Sequence, residues 1–226
     1  MNPLPPGQQA RADFPRFGLN PYARRFPTVT DRIELRIAGT VANPISVSAE
    51  LLALPRVELT ADFHCVTTWS RRDLHWSGFR FKDFYERIVL PLAKPATGTT
   101  AVAVRCQDGY RACLPLEDLL AADVLLADTL DGAPLSIEHG APLRLIAPAH
   151  YAYKSAKHLR AVEFLHDASG HQTASLKFLE HPRARVALEE RGRGIPGVIL
   201  RYLYRPLIGS TARRFASAMD AFRQIP

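Results

Sequence analysis

The sequence predicts an α+β fold in which short helices and long loops connect β-strands. Several short segments alternate apolar and polar residues with the period of two that a half-buried strand requires. The candidate helices between them are brief. The 226 residues include 18 prolines, which favour loops and turns and argue against a simple helical bundle. Apolar residues make up 47% of the chain, enough for a sizeable core.

The first half of the chain alternates strands with short helices. The predicted elements are an extended arm at 1–30, a strand at 32–41, a short helix at 48–55, a strand at 57–65 and a helix at 81–90. The arm is rich in proline and arginine and has no periodicity. Pro55 stops the first helix. Phe84 and Ile88 have the spacing of one helical face.

The second half continues the pattern and ends in a basic segment. The predicted elements are strands at 100–106, 124–130 and 141–148, turns at 107–110 and 131–134, and a short helix at 114–122. Residues 156–165 fit either a helix or a strand. Phe215, Met219 and Phe222 predict a short amphipathic helix. We therefore predict a domain at 1–165 and a basic C-terminal extension at 166–226, packed on the body or facing a partner.

The net charge of +7 is concentrated near the C-terminus. Residues 181–226 hold nine arginines and three acids, whereas residues 1–180 are close to neutral. Basicity confined to a tail gives weak, salt-sensitive binding, so a nucleic-acid partner is not expected. The extension could instead dock an acidic protein such as a flavodoxin or cytochrome, or pack on the body through Phe215 and Phe222.

Cysteine usage and hydropathy suggest the compartment. Three cysteines do not form a disulfide framework and suit a reducing environment. No stretch approaches the roughly 20 apolar residues that span a bilayer, and the first residues lack the apolar core of a secretory signal. The expectation is a cytoplasmic protein, or a periplasmic one if a leader precedes this sequence.

Cys65 has two interpretations. It continues the apolar face of Val57, Leu59, Ala61 and Phe63, and a buried free cysteine packs as a small hydrophobe. However, the sequence becomes polar immediately afterwards in "VTTWS", which favours a strand that ends at a pocket. A single soft thiolate suits a metal whose other ligands come from a cofactor. A thiol enzyme without metal is a third possibility, but it lacks a convincing base, because His64 points to the opposite face.

Residues 138–160 form a second candidate element. Arg144, Lys154, Ser155 and Lys157 lie within a stretch broken by glycine and proline. Such a loop is either a solvated basic loop or an anion site, in which ammonium groups, a hydroxyl and backbone N–H groups converge on a phosphate.

These segments, taken in order, resemble the molybdopterin-binding oxidoreductase domain of the sulfite oxidase family, and especially its small bacterial members. The resemblance covers residues 14–165 and rests on "FPRFG", "HCVTTWSRRDLHWSG", "DGY", "HGAPLRL" and "YKSAK". It implies mixed, mainly antiparallel sheets, a molybdopterin cofactor and oxygen-atom transfer to or from a small sulfite- or sulfoxide-type substrate. It also implies a separate haem or flavin electron-transfer protein, and we expect a monomer.

The resemblance also assigns residues. Cys65 is implied as the metal ligand, and Arg16 as a candidate for holding an anionic substrate; the alternative for Arg16 is a surface charge in the arm. The implied cofactor contacts are Pro15, Arg16, Phe17, Cys65, Thr67, Cys106, His139, Arg144, Ser155, Ala156 and Lys157. The methionine-sulfoxide reductase members of this family have asparagine where this sequence has His139. Cys113 is assigned to the core. The functional alternative is a non-catalytic module of the same fold that binds an anionic partner through its basic tail.

Overall fold

The computed structural model describes residues 3–169 and 180–224. The strands are β1 (Gln9–Ala10), β2 (Leu35–Gly39), β3 (Ile45–Val47), β4 (Arg56–His64), β5 (Trp69–Arg80), β6 (Ala101–Cys106), β7 (Arg111–Pro115), β8 (Leu125–Leu130), β9 (Ala133–Pro134), β10 (Arg144–Ile146) and β11 (Leu159–Leu165). The helices are α1 (Ala49–Leu52), α2 (Phe81–Phe84), α3 (Leu116–Leu119), α4 (Gly197–Tyr204) and α5 (Leu207–Arg223). A 3₁₀ turn covers Asn20–Tyr22, and α2 continues as a π-helix over Tyr85–Ala93.

The strands form two mixed, mainly antiparallel sheets. The first sheet has the order β1-β5-β8-β10, with β4 paired to β5 and β9 paired to β8. The second has the order β3-β2-β11-β6-β7. Among the described strands, only β1 with β5 and β2 with β11 run parallel. The predicted fold class is confirmed, and the ambiguous segment 156–165 is the central strand β11 of the second sheet.

Most of the apolar face pattern was predicted correctly. The main core lies around the second sheet and includes Leu35, Ile37, Val104 and Phe164, all buried. A second cluster lies on β5 and β8 around Leu74 and Trp76. Val57, Leu59, Ala61 and Phe63 of β4 pack against this second cluster from one face of the strand, as their alternation predicts. These two clusters hold the first sheet in place, and the loop between β4 and β5, which carries Cys65, extends from that sheet.

Two elements near the site lie outside the predictions. The strand β5 is twelve residues long, and its charged residues Arg71, Arg72 and Asp73 interrupt the apolar pattern. The alternation of Leu74 with Trp76 was the available signal for it. The helix α4 was hidden by the flanking glycines and arginines of residues 191–197.

The C-terminal segment packs on the N-terminal arm. Phe222 of α5 stacks on Phe26 with ring centroids 4.0 Å apart, and Phe215 stacks on Phe17 at 6.3 Å. The predicted amphipathic helix therefore exists, and its apolar side covers the arm. Within the described part of the chain, no helix is long and apolar enough to cross a membrane.

Candidate active site

Cys65 lies in a tight loop that joins β4 to β5. The Cys65 amide donates to the carbonyl of Trp69 at 2.8 Å, and the Thr68 amide donates to the carbonyl of Cys65 at 3.1 Å. The loop is closed because β4 and β5 pair antiparallel up to His64 and Ser70. Cys65 is thus one residue beyond the strand, where its thiol contacts the hydroxyl of Thr67 at 3.1 Å.

Thr68 carries backbone strain in this loop. Its φ is 84°, a conformation that a β-branched residue rarely adopts. Surrounding contacts must hold such a residue in place. The Gln9 amide donates to its carbonyl at 2.9 Å, and Arg205 Nε donates to its hydroxyl at 3.4 Å. The arm and the C-terminal segment therefore fix the loop from two directions.

A buried polar chain supports Cys65 from the arm side. Gln8 Nε2 donates to the Cys65 carbonyl at 3.1 Å, and the Ser70 hydroxyl donates to Gln8 Oε1 at 2.9 Å. His64 Nδ1 lies 2.8 Å from the same hydroxyl. His64 is consequently engaged away from the Cys65 thiol, so these neighbours do not form a nucleophile–base pair.

A cleft of about 160 Å³ opens above Cys65. Its walls are mainly aromatic and apolar, and they come from the arm, the Cys65 loop, the 152–158 loop and α5. The principal walls are Phe17, Leu19, Tyr22, Phe63, Trp69, Tyr110, Tyr153 and Phe215. The polar lining consists of Arg16, Thr67, Asp108, Ser155, Lys157 and His158. The cleft can therefore bind a small, largely apolar group beside a thiol.

Positive charge gathers on one side of the cleft. Arg144 is fully buried, with its guanidinium 4.8 Å from the Trp76 ring centre, and donates to the carbonyls of His139 at 2.6 Å and Ser155 at 3.2 Å. Lys157 Nζ donates to the carbonyl of Glu138 at 2.7 Å. In the described parts of the chain, neither cation forms a salt bridge. Burial, followed by repulsion from Arg144 and Arg16, lowers the pKa of Lys157 well below its usual value, and the acids Asp108 and Glu138 offset this only in part.

Several buried polar atoms near the cleft also have no hydrogen-bond partner. Among the described residues these include Trp69 Nε1, His139 Nδ1 and Arg144 Nε. Such atoms are costly to bury unless a ligand engages them. Together with Lys157 and a soft thiol, they form a set dominated by donors. This set fits an acceptor-rich anionic cofactor that presents a metal to sulfur, so the residues present are compatible with a molybdopterin phosphate and its metal.

The thiol of Cys65 is held protonated by the protein alone. Burial raises its pKa, and the Thr67 hydroxyl, Arg191 and Lys157 oppose this only in part. A nucleophilic cysteine enzyme requires the opposite shift, so a metal-free thiol mechanism is disfavoured. A metal ion would replace the proton and release it to solvent.

The structure brings most of the predicted residues to the cleft. Arg16, Phe17, Cys65, Thr67, Ser155, Ala156 and Lys157 line it. Pro15 is next to this lining in the arm. His139 and Arg144 lie behind it: His139 stacks on Phe14 at 4.5 Å, and Arg144 ties the 139 and 155 loops together. Thr68, next to Thr67, is fully buried and is not part of the lining.

Two predicted residues have other contacts in the structure, and their predicted roles stay predictions. Arg16 donates to the carbonyls of Tyr22, Ala23 and Arg25, at 3.3, 2.5 and 2.8 Å, and its guanidinium lies over Phe26. It therefore helps to fold the arm, and three of the five N–H donors of its guanidinium are used within the arm. Cys106 belongs to the main core on β6, where it packs as a small hydrophobe.

The sequence interpretation missed the contribution of the C-terminal segment to the site. Arg191 is fully buried and donates to the carbonyls of Val66 at 2.5 Å and Pro6 at 3.0 Å. Glu189 accepts from Arg191 at 3.1 Å and from Arg201 at 2.9 Å. The dense arginines of residues 183–193 were the only signal, and a basic tail gives the same signal.

The histidines at the site predict a pH-dependent stability. Burial lowers the pKa of His139 and of His158 to about 4. An unfolded histidine has a pKa of about 6.5, so the unfolded chain binds more protons below that pH. Stability should therefore fall from pH 6.5 to pH 5, by up to about 1.4 kcal/mol per pH unit for each histidine. Urea unfolding of the apoprotein at several pH values measures this slope. His158→Gln should reduce it, and an unchanged slope would contradict the assignment.

Comparison with known proteins identifies the family. The family model described as "Oxidoreductase molybdopterin binding domain" matches residues 23–173. The chain belongs to this family. The match covers β2 to β11, which include the Cys65 loop and the cation side of the cleft, and it stops before α4 and α5.

Curated relatives agree with this assignment. "Uncharacterized oxidoreductase YuiH" of Bacillus subtilis is 39% identical over 164 residues, which cover 71% of this chain and 78% of that protein. The "Protein-methionine-sulfoxide reductase catalytic subunit MsrP" of Campylobacter jejuni is 29% identical and matches 63% of this chain and 51% of its own length. The MsrP of Xanthomonas campestris is 27% identical, with 71% of this chain and 57% of that protein covered. The chain thus spans about half the length of these MsrP proteins.

A solved structure shares the fold. The sulfane dehydrogenase SoxCD from Paracoccus pantotrophus superimposes with a TM-score of 0.54 at 22% identity, over 69% of this chain and 44% of that chain. The predicted sulfite-oxidase-type fold and the prediction of a molybdopterin oxidoreductase domain are therefore confirmed. The individual cofactor contacts, the domain boundary at 165 and the cytoplasmic localisation stay predictions.

Proposed function

We propose that this chain is a molybdenum-cofactor-dependent oxidoreductase that transfers an oxygen atom to or from an uncharged, sulfoxide-type sulfur compound. The observation that carries the proposal is the Cys65 thiol at the base of an aromatic cleft, beside Lys157, whose amine forms no salt bridge among the described residues. Cys65 would bind the metal. The phosphate group of the cofactor would be bound by Lys157, Ser155 and the backbone N–H groups near Arg144.

The chemistry separates into what the cofactor supplies and what the chain supplies. When bound, the cofactor supplies a two-electron redox centre that exchanges an oxygen atom. Sulfoxide reduction takes up two electrons and two protons and releases water, and a separate electron-transfer protein would provide the electrons. The aromatic walls Phe17, Trp69 and Phe215 would orient the substrate and exclude bulk water.

Asp108 is our candidate for a proton donor. It lines the cleft, and burial raises the pKa of its carboxyl, so it retains a proton at a higher pH than an exposed aspartate. The Tyr110 amide donates to Asp108 Oδ1 at 2.9 Å and orients the group. A positioned carboxylic acid of this kind can deliver a proton to the oxygen that leaves as water.

The lining favours a neutral substrate over an anion. The guanidinium of Arg16 donates hydrogen bonds to three backbone carbonyls, and the neighbouring walls of the cleft are aromatic. Methionine sulfoxide within a protein, the substrate in the name of the MsrP relatives, is uncharged and small at the reacting end. Sulfite, by contrast, would need a further cation in the cleft besides Lys157, which we assign to the cofactor phosphate.

A substrate comparison tests the proposal. With reduced viologen as the electron donor, the cofactor-loaded protein should reduce dimethyl sulfoxide or peptide methionine sulfoxide at least about tenfold more efficiently than it oxidises sulfite with ferricyanide as the electron acceptor, because an unpaired anion in an apolar cleft is penalised. Phe215→Ala should raise KM for the sulfoxide. Phe222→Ala, on the same helix but packed on Phe26, is the matched control and should leave KM unchanged. Sulfite oxidation without sulfoxide reduction would overturn the substrate assignment.

A further inference from the structure

The helix α4 presents a large apolar face to solvent. Ten large hydrophobic side chains are exposed in the described part of the chain, and six of them lie between residues 188 and 207. These six, which we call the α4 face, are Leu188, Val198, Ile199, Tyr202, Leu203 and Leu207, each 50–65% exposed. Their spacing places the α4 members on one side of the helix. A clustered apolar surface of this kind marks an interaction site, whereas single exposed leucines do not.

The opposite side of α4 is firmly anchored, so the exposure is not due to a loosely attached helix. Leu200 is buried at 1% exposure. Arg201 forms a salt bridge with Glu189 at 2.8 Å, and the Gly197 backbone packs so closely on the Glu189 carbonyl that a Cβ there would lie 2.0 Å from it. The fold therefore holds the α4 face outward.

The charges around the α4 face point to an acidic protein. Arg193, Arg213 and Arg214 are exposed, and they form no salt bridge within residues 3–169 and 180–224. The acids Glu189 and Glu190 form salt bridges within the protein, with Arg191 and Arg185 respectively. Residues 181–226 contain no lysine. Protein interfaces are enriched in tyrosine and arginine and depleted in lysine, whereas lipid-binding helices use both basic residues.

The anchored side of α4, opposite the α4 face, contacts the active-site loop. Arg205, at the end of α4, donates to the Thr68 hydroxyl. The salt bridges of Glu189 connect Arg201 of α4 to Arg191, which holds the Val66 carbonyl. A protein bound on the α4 face would lie on the other side of α4 from the loop that carries Cys65.

We infer that the α4 face is the docking site of an acidic one-electron carrier that exchanges electrons with the Cys65 site. The carrier would deliver the two electrons singly, and solvent would supply the two protons that sulfoxide reduction consumes. The inference rests on the proposed function. An apolar centre would bind the carrier, and the surrounding arginines would steer it to the face.

The test compares protein and dye donors on the same holoenzyme. The probes are an acidic flavodoxin and an acidic cytochrome, each supplied reduced, with a viologen dye as the small donor. At least one protein probe should sustain sulfoxide reduction, and higher salt should raise its KM. Tyr202→Ser combined with Leu203→Ser should raise that KM by about tenfold or more. The rate with the dye should not change. Leu90→Ser with Leu92→Ser, which alters exposed leucines elsewhere, is the control.

The outcomes separate the two proposals. No turnover with any donor, including the dye, contradicts the proposed function. Dye turnover with neither protein probe active, or an active probe that is insensitive to the α4 variant, overturns the docking site. Binding of the wild type, but not of the variant, to phosphatidylglycerol vesicles without probe turnover would assign the face to a membrane. Dimerisation in sedimentation that the variant abolishes would assign it to a second copy of the chain.

Discussion

Cys65→Ser is expected to abolish sulfoxide reduction while the protein remains folded. Serine keeps the shape of the side chain but replaces a soft sulfur ligand with a hard oxygen, which suits the metal poorly. Loss of an outer partner of a metal ligand commonly costs 10- to 100-fold in activity, so loss of the ligand itself should cost more than about 100-fold. Turnover with a dye donor, together with molybdenum and pterin content per chain, provides the measurement.

The other cysteines supply matched controls. Cys106→Ser and Cys113→Ser place a hydroxyl in apolar surroundings, so each should lower stability by about 1–3 kcal/mol. Neither should change turnover per folded molecule. If Cys106→Ser lost activity as completely as Cys65→Ser, the core assignment of Cys106 would be wrong. A fully active Cys65→Ser protein would remove the ligand role.

Lys157→Met is expected to weaken cofactor retention and to stabilise the apoprotein. Lys157 is a half-buried amine beside Arg144 without a salt bridge among the described residues, and burial and repulsion disfavour its charged form, so removing the charge relieves both. A gain of about 1–3 kcal/mol is expected in the apoprotein. The same change removes the cation that would neutralise a phosphate. Urea unfolding of apoprotein and pterin fluorescence of holoprotein measure the two effects.

Lys154→Met, three residues earlier, should show the opposite pattern. Lys154 is 1% exposed, donates to the Cys113 carbonyl at 2.7 Å and forms a salt bridge with Glu180 at 3.2 Å. Its loss would remove this buried partner of Glu180 and leave the Cys113 carbonyl without its donor, at a cost of about 1–3 kcal/mol, without altering the cation side of the cleft. If both lysine variants destabilised the apoprotein equally, Lys157 would have a structural role and not the proposed anion-binding role.

The sequence was informative where local periodicity and local chemistry decide the structure. The alternation of β2 and β4 survives folding because each strand packs one face on one apolar cluster, whereas β6 and β8 bury both faces. The polar break after Cys65 correctly indicated a loop at a pocket, because a strand that continued into the core would have stayed apolar. Phe215 and Phe222 correctly indicated the covered side of α5.

The remaining features depend on long-range contacts that no local pattern encodes. Arg16 is a charged residue in an arm. Only the folded chain shows that its guanidinium donates hydrogen bonds to three carbonyls of the next ten residues. Arg191 reaches Val66 across 125 positions of sequence. In the printed sequence it differs little from the exposed Arg193, although one is fully buried and the other is in solvent.

Glu189 accepts salt bridges from Arg191 and Arg201, and this has a consequence for how the family domain can be transplanted or shortened. The recognised domain ends at residue 173, yet the carbonyls of Pro6 and Val66 receive their donors from Arg191. A chain that ended at residue 173 would retain both sheets but lose the hydrogen bonds that Arg191 donates to the Val66 and Pro6 carbonyls. The segment needed to keep the Cys65 loop in place is therefore longer than the segment that matches the family. Chimaeras that exchange this domain should include the C-terminal helices α4 and α5.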